Sequence, residues 1–499
     1  MNTLLNGLKN QSNFTYTENG AITHKTTKSD LLDMFALGAA YRTRTESEVI
    51  LLFKNAYEEN PEYALKCLFY IRDIRGGQGE RRFFRTCMNW LAKNHTEAAR
   101  RNMEYIPEFG RWDDLYCLVD TPLEKEMFAF LKKQLILDIQ CKTPSLLAKW
   151  LPSTNASSKA TIANGKKTQD AFGLTARQYR KILSTLRERI NVLERLMSAN
   201  EWDKIEFDKI PSKAGLIYKN AFARRDIIKA KFEAFAKNKD TKVNAEVLNP
   251  VDIAHQIFNS YHPSETERLM WDKYWANLKD YYAGREENGI AVVDVSGSMS
   301  GQPMEAAVSM GAYIAERGKG PFENHFITFS DNPQLVKFEG IDLYDKFNRA
   351  RRADWGGSTN IEAVFNLLLS TALRNNVPAS EMPQTIYIFS DMEFNQCMTC
   401  GGPAVRSGWY SYARPRMDHS AVETLMETIA RQWKERGYEL PRVIFWNLQS
   451  RQNNIPAMGG QFSYVSGFSM NMVEQILSGH DGFDLMMAKL NTERYSVIQ

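Results

Sequence analysis

The clearest chemistry in this 499-residue chain lies in five oxygen-bearing side chains spread over three segments. Asp294, Ser296 and Ser298 alternate directly after the apolar run Gly289-Ile290-Ala291-Val292-Val293. Thr359 stands in Gly356-Gly357-Ser358-Thr359-Asn360, just ahead of a helical pattern, and Asp391 follows an apolar run that ends in Phe389-Ser390. Hydroxyl and carboxylate oxygens are hard donors. A set dominated by them suits Mg²⁺ or Mn²⁺ in an octahedral shell that keeps exchangeable positions. A carboxylate from an acidic protein partner can complete such a shell. A Ser-rich turn capping the next helix would explain the first segment but not all three. The run Gly297-Ser298-Met299-Ser300-Gly301 has no Ser at its third position, so it is not a hydrolase nucleophile elbow. No phosphate loop of the form G-x-x-x-x-G-K-[ST] occurs. With no nucleophile motif and no readable general base, the expectation is a non-catalytic protein.

These side chains need a sheet to hold them. From Asn288 onward, strand-length apolar runs (289–294, 324–329, 384–389, 442–446) alternate with helical stretches (303–316, 361–373, 422–435). That alternation predicts a doubly wound α/β domain whose mostly parallel sheet gathers the three segments at its carboxyl edge. Upstream, the polar residues 1–28 read as a flexible arm, and 29–287 as helical, with no strand before about 288. Thr45-Glu46-Ser47-Glu48 reads as a capping box, 153–172 as a long flexible loop, and 174–197 as a basic amphipathic helix. Consecutive short helices predict stacked pairs, a HEAT-like repeat region of roughly 40 residues per pair. The expected fold class is therefore multidomain, α followed by α/β, with domains over 29–287 and 288–499.

Taken together, the three segments resemble a von Willebrand factor A domain carrying a metal-ion-dependent adhesion site, over 288–499. The family pattern is Asp-x-Ser-x-Ser, then a Thr, then an Asp. Asp294, Ser296, Ser298, Thr359 and Asp391 match it in order. The resemblance implies that these five residues hold the cation.

Two turns stand out in the helical part, Arg72-Asp73-Ile74-Arg75-Gly76-Gly77-Gln78-Gly79-Glu80-Arg81 and Gly110-Arg111-Trp112-Asp113-Asp114-Leu115. Their glycines can end helices, Asp113 can cap one, and the mixed Arg and Asp predict an inter-helix salt-bridge network. With Ala148-Lys149-Trp150-Leu151-Pro152-Ser153 and the A domain, these turns resemble the Ro autoantigen family, a TROVE module of helical repeats closed by an A domain. The match is nearest to a Ro-like group of bacteria and phages with similar segments. It implies binding of small structured or single-stranded RNA.

Charge supports that independently. The net charge of +4 hides a basic excess in residues 141–240, which hold 21 Lys+Arg against 10 Asp+Glu, while 291–499 hold 18 against 22. A basic window of this kind suits a polyanion. Candidate phosphate contacts are Lys149, Lys159, Lys166, Lys167, Arg177, Arg180, Lys181, Arg187 and Arg189, with Trp150 and Tyr179 able to stack on bases. Solvated helix faces and core aromatics are the plainer alternatives.

Cys397-Met398-Thr399-Cys400 lacks two further zinc ligands nearby, and the Arg- and aromatic-rich 402–418 segment is a candidate partner contact. Six cysteines, no apolar stretch of membrane-span length and no basic-then-apolar leader fit a cytoplasmic, reduced protein. The leading expectation is a non-catalytic RNA-binding scaffold with a Mg²⁺-dependent adhesion site. The alternatives are a metal-dependent protein adaptor, or a subunit of a larger assembly such as a phage particle.

Overall fold

Val, Ile and Phe dominate four central runs, and these become the inner strands of one six-stranded sheet. The computed structural model describes residues 12–190, 192–238, 240–245, 247–329, 332–352, 358–396 and 423–499. In chain order the strands are β1 (Phe14–Tyr16), β2 (Ile22–His24), β3 (Gly289–Asp294), β4 (His325–Phe329), β5 (Gln334–Lys337), β6 (Thr385–Ser390), β7 (Arg442–Asn447) and β8 (Phe462–Ser466). The large sheet runs β5-β4-β3-β6-β7-β8, parallel throughout except for β5, and β1 pairs with β2 in a separate hairpin. Every residue of β6 is buried, which is why it reads as a continuous apolar run rather than as alternation, whereas β8, equally buried, carries two serines and was not expected from the sequence. The Gln302–Arg317 helix packs on β3, and a Cβ at Gly311 would collide with Val293, so glycine is what lets helix and strand approach. Strand order reverses between β3 and β6, and the crevice beyond their carboxyl ends is where such sheets take ligands.

The chain divides into two compact units, Met1–Arg44 with Asp280–Lys489, and Thr45–Lys279 with Leu490–Gln499. Two sequence expectations change here. Residues 12–28, expected as a loose arm, contain the β1–β2 hairpin, so strands exist well before 288. The hairpin escapes periodicity because each strand has only three residues. It is held by partners remote in sequence, with His24 N donating to the Ile455 carbonyl at 3.0 Å and Thr23 Oγ1 to the same carbonyl at 2.8 Å. The Asp30–Leu37 helix then packs against β8, and the Ser466 hydroxyl donates to the Phe35 carbonyl at 2.9 Å.

The second unit is helical. The capping box at Thr45 forms as expected on the Glu46–Glu59 helix. The 153–172 segment, expected as a loop, holds the Lys159–Phe172 helix. Ser158 caps its start, Gly165 passes close to the Pro152–Ser153 backbone, Phe172 is buried and Gly173 ends it at φ +69°. Polar composition hid a helix with one narrow buried edge. The long helix expected at 174–197 is broken into Ala176–Arg189 and Leu193–Ser198.

The two charged turns form the expected ion-pair network. Arg72, 2% exposed, donates to Asp114 Oδ2 through Nε (2.8 Å) and Nη2 (2.6 Å), and Arg85 Nε reaches Asp114 Oδ1 at 2.7 Å. Arg111 pairs with Asp113 at 3.0 Å. A Cβ at Gly110 would strike the Asp114 carboxylate, and one at Gly77 the Tyr70 carbonyl. Asp73 accepts from Arg494 Nη2 (2.7 Å) and from the Tyr495 hydroxyl (3.0 Å), which fastens the 490–499 segment to this unit. No helix among the described residues is long and apolar enough to cross a membrane.

Candidate metal centre

Asp294 is the last residue of β3, and Asp391 directly follows β6. Because β3 and β6 are neighbours, the sheet brings these two carboxylates to one place at its carboxyl edge. Both are buried, at 0% and 1% exposure. Asp294 accepts from the Ser296 backbone amide at 2.9 Å and from the Ser390 hydroxyl at 2.5 Å. The Ser296 and Ser298 hydroxyls lie 2.9 Å apart. A positive φ at Gly301 (+87°) turns the chain from this loop into the Gln302–Arg317 helix. Asp294, Ser296, Ser298 and Asp391 are thus brought together.

Thr359 sits beside them, joined through the segment that follows Asp391. Its hydroxyl lies 2.8 Å from the Glu393 carbonyl and 2.7 Å from Asn395 Oδ1, and accepts from Asn19 Nδ2 at 2.9 Å. Among the described residues it makes no direct hydrogen bond to the other four.

Electrostatics mark the edge as short of positive charge. Burial, and then the neighbouring Asp391 carboxylate, push the Asp294 carboxyl well above the usual range. Burial also raises Asp391. Glu393, two residues further on, is pushed up to about 7, chiefly by burial. Asp391 Oδ1 accepts from the Glu393 amide at 3.2 Å, whereas Oδ2 is buried and meets no hydrogen-bond donor within bonding geometry among the described residues, although the nearby Ser298 hydroxyl offsets part of the rise. Arg451 Nη2 approaches that oxygen only to 3.5 Å. Buried carboxylates are costly unless a cation or donors satisfy them. An orphaned carboxylate oxygen amid hydroxyls is a donor set that fits a hard divalent cation. No three His, Cys, Asp or Glu side chains converge as a metal-ligand group among the described residues. A cation at this edge would therefore rest on two carboxylates and on hydroxyls.

Sequence reasoning missed several residues of this edge. Asn454 Nδ2 donates to Glu393 Oε1 at 2.8 Å, and Arg451 Nη2 donates to the Ser298 carbonyl at 2.8 Å, both from the β7–β8 connection. Glu18 and Asn19 come from the tip of the β1–β2 hairpin. The Asp391-Met392-Glu393 alternation was the one available signal. Nothing local in the sequence points to Asn19 or Arg451. Cys397, Cys400 and the 402–418 segment lie outside the described residues.

Of the nine basic candidates, four are tied into the helical unit. Arg187 donates to the carbonyls of Ala148 (2.8 Å) and Leu151 (3.0 Å), and Arg189 to those of Asp138 (3.2 Å) and Ile139 (3.1 Å). Lys167 pairs with Asp120 at 2.7 Å, and Lys149 approaches Glu194 at 3.9 Å. Lys159, Lys166, Arg177, Arg180 and Lys181 are exposed and make no ion pair or hydrogen bond among the described residues. Tyr179 is fully buried with its hydroxyl on the Pro152 carbonyl at 3.0 Å, and Arg111 covers Trp150 at 4.1 Å from the ring centroid. The Tyr179 ring is closed to a base, and the half-buried Trp150 has one face taken by Arg111.

Family profiles match both parts of the chain. A domain of unknown function, DUF2828, matches residues 17–146 and 143–282, and another, DUF7788, matches residues 288–496. The chain belongs to the DUF2828 family. No Ro-module or A-domain profile is among the matches. A DUF2828 chain of this kind is also similar to Uncharacterized protein L728 of Acanthamoeba polyphaga mimivirus, 33% identical over 515 residues, covering 94% of this chain and 86% of the viral one. The DUF2828 matches run from the hairpin turn through β2 and the helical unit, and the DUF7788 match through the sheet that carries the carboxylates.

Proposed function

We propose that this protein is a non-catalytic adaptor whose sheet edge is an adhesion site of the von Willebrand factor A type, holding Mg²⁺ or Mn²⁺ and capturing a carboxylate of a protein partner. One observation carries the reading, the orphaned, buried Asp391 Oδ2 beside Asp294 and the Ser296–Ser298 hydroxyl pair. Ser296, Ser298 and Thr359 would offer neutral oxygens, and Asp294 and Asp391 would act directly or through water. A bound cation supplies a Lewis-acidic position with exchangeable sites. The chain's own part is to exclude water from the carboxylates, orient the hydroxyls and hold the alternating loop through the Asp294–Ser296 turn. In this reading the helical unit is a HEAT-like docking surface.

Calorimetric titration with MnCl₂ tests the site. The wild type is expected to bind Mn²⁺, and Asp294→Ala to lose at least tenfold in affinity. Undiminished binding in Asp294→Ala would refute the assignment.

A second reading, RNA binding on the helical unit, has its own support in the five unpaired cations on the Lys159–Phe172 and Ala176–Arg189 helices. Arg177, Arg180 and Lys181 stand at helical spacing on one face, and charge there would release counterions from a phosphate backbone.

A further inference from the structure

The hairpin tip does more than cover the sheet. Glu18 N donates to Glu393 Oε2 at 2.7 Å, and the Asn19 carboxamide donates to the Glu393 carbonyl at 2.6 Å and to the Thr359 hydroxyl at 2.9 Å. The Gln396 amide donates to the Asn19 carbonyl at 3.0 Å, and Thr17 Oγ1 to the Phe394 carbonyl at 2.6 Å. Glu18 Oε2 holds Arg451 Nη1 at 2.9 Å, and the same guanidinium lies on the Ser298 carbonyl and faces Asp391 Oδ2. The tip therefore engages Thr359 and, through Arg451, Asp391, which are two of the five oxygen donors. Yet Glu18 and Asn19 are exposed. Two of these bonds run through the tip's own backbone, the Glu18 amide and the Asn19 carbonyl, so releasing the tip loosens the hairpin turn as well as its side chains.

We propose that Glu18, Asn19 and Arg451 form a latch that closes the cation edge, competing with the divalent ion for Thr359 and Asp391. This rests on the adhesion-site reading above. The Asn19 N–H takes one of the two Thr359 lone pairs while the hydroxyl proton faces Glu393 or Asn395, so the amide competes with a cation for the oxygen's remaining coordination. Arg451 brings a like charge against the same carboxylate, and Glu18 keeps it there. Cation entry requires Asn19 to turn away and Arg451 to withdraw. Opening the edge and loosening the hairpin tip are then one event.

The test uses the full chain as wild type, Asn19→Ala, Glu18→Gln/Asn19→Ala and Asp294→Ala, titrated calorimetrically with MnCl₂. Asn19→Ala is expected to bind Mn²⁺ about tenfold more tightly than wild type, the scale of losing one competing neutral hydrogen bond. The double variant should bind at least as tightly as Asn19→Ala. Hydrogen exchange read by mass spectrometry on the wild type, which needs no variant, should rise across residues 14–24 when Mn²⁺ saturates. Binding that depends on Asp294 but is equal or weaker in the tip variants, with unchanged exchange in 14–24, overturns the latch and spares the site. Absence of Asp294-dependent binding in wild type and tip variants alike overturns both.

Discussion

Asp33 shows how much a single carboxyl can carry. Burial pushes it up to about 6, although the Thr26 hydroxyl and Thr27 amide donate to it, the latter at 2.7 Å. Its partners lie directly after β2, so this side chain fixes how the hairpin leaves the Asp30–Leu37 helix. The folded carboxyl binds its proton more readily than the unfolded one. Its contribution to stability is therefore complete below about pH 4, is lost as pH rises towards about 6, and stays flat above. Two units correspond to about 3 kcal/mol at most. Asp33→Asn, which imitates the protonated acid, should lose less stability than wild type between pH 4 and 7 in urea unfolding. Parallel curves would refute it. Asp33 was not legible in the sequence, because a carboxylate in the first turn of a helix reads as dipole complement. Asp294 and Asp391 were legible because one ends and the other follows a buried apolar strand. Asn19 and Arg451 were not, because their significance is purely a matter of contact across hundreds of residues.

At the scale of elements, the inner strands and the helices between them follow from apolar runs of the right length. The misses share a cause. The edge strand β5 is mostly exposed, and the β1–β2 strands are too short for a period, so hydrophobicity carries little signal there. The Lys159–Phe172 helix buries only Gly165, Thr168 and Phe172, and Gly and Thr read as loop. That helix and its neighbour also divide the basic residues by task. Arg187 fastens Ala148–Ser153 to the Ala176–Arg189 helix, while Arg177, Arg180 and Lys181 are exposed and make no hydrogen bond or ion pair among the described residues. Reversing charge at those three should leave thermal stability unchanged and lower the slope of log affinity against log salt for a structured RNA by about 2–3. Arg187→Ala should instead cost stability, by about 1.5–3 kcal/mol for its charged hydrogen bonds. A gel shift at two salt concentrations decides the first point, and an unaltered slope would remove the RNA reading.

For the whole molecule, neither unit is a continuous stretch of chain. Residues 12–44 belong with the sheet that begins at β3, and residues 490–499 belong with the helices that begin at Thr45. The turn Arg72–Arg81 shows why the last segment matters, because its Asp73 is fully buried and relies on Arg494 and Tyr495. A chain ending at Leu490 should leave that carboxylate without its charged partner and with only the Arg75 amide on it, at a cost of up to about 3–5 kcal/mol. Its helical unit should melt earlier in a thermal scan while Mn²⁺ binding at the sheet edge persists. Unchanged melting would show that Asp73 finds other donors. The change of pattern at Asn288 was readable in the sequence. The exchange of end segments was not, since it depends on pairings that no local window contains.

The hairpin also has a history in time. On a ribosome adding ~5–20 residues per second, Glu18 and Asn19 emerge tens of seconds before Glu393 and Arg451 exist. Through that interval the two three-residue strands lack the 393–396 and 451–455 segments they bind, and such a hairpin alone is marginal in water. The nascent chain therefore completes its carboxylate edge only late in synthesis, and the residues that complete it are also those that shut it.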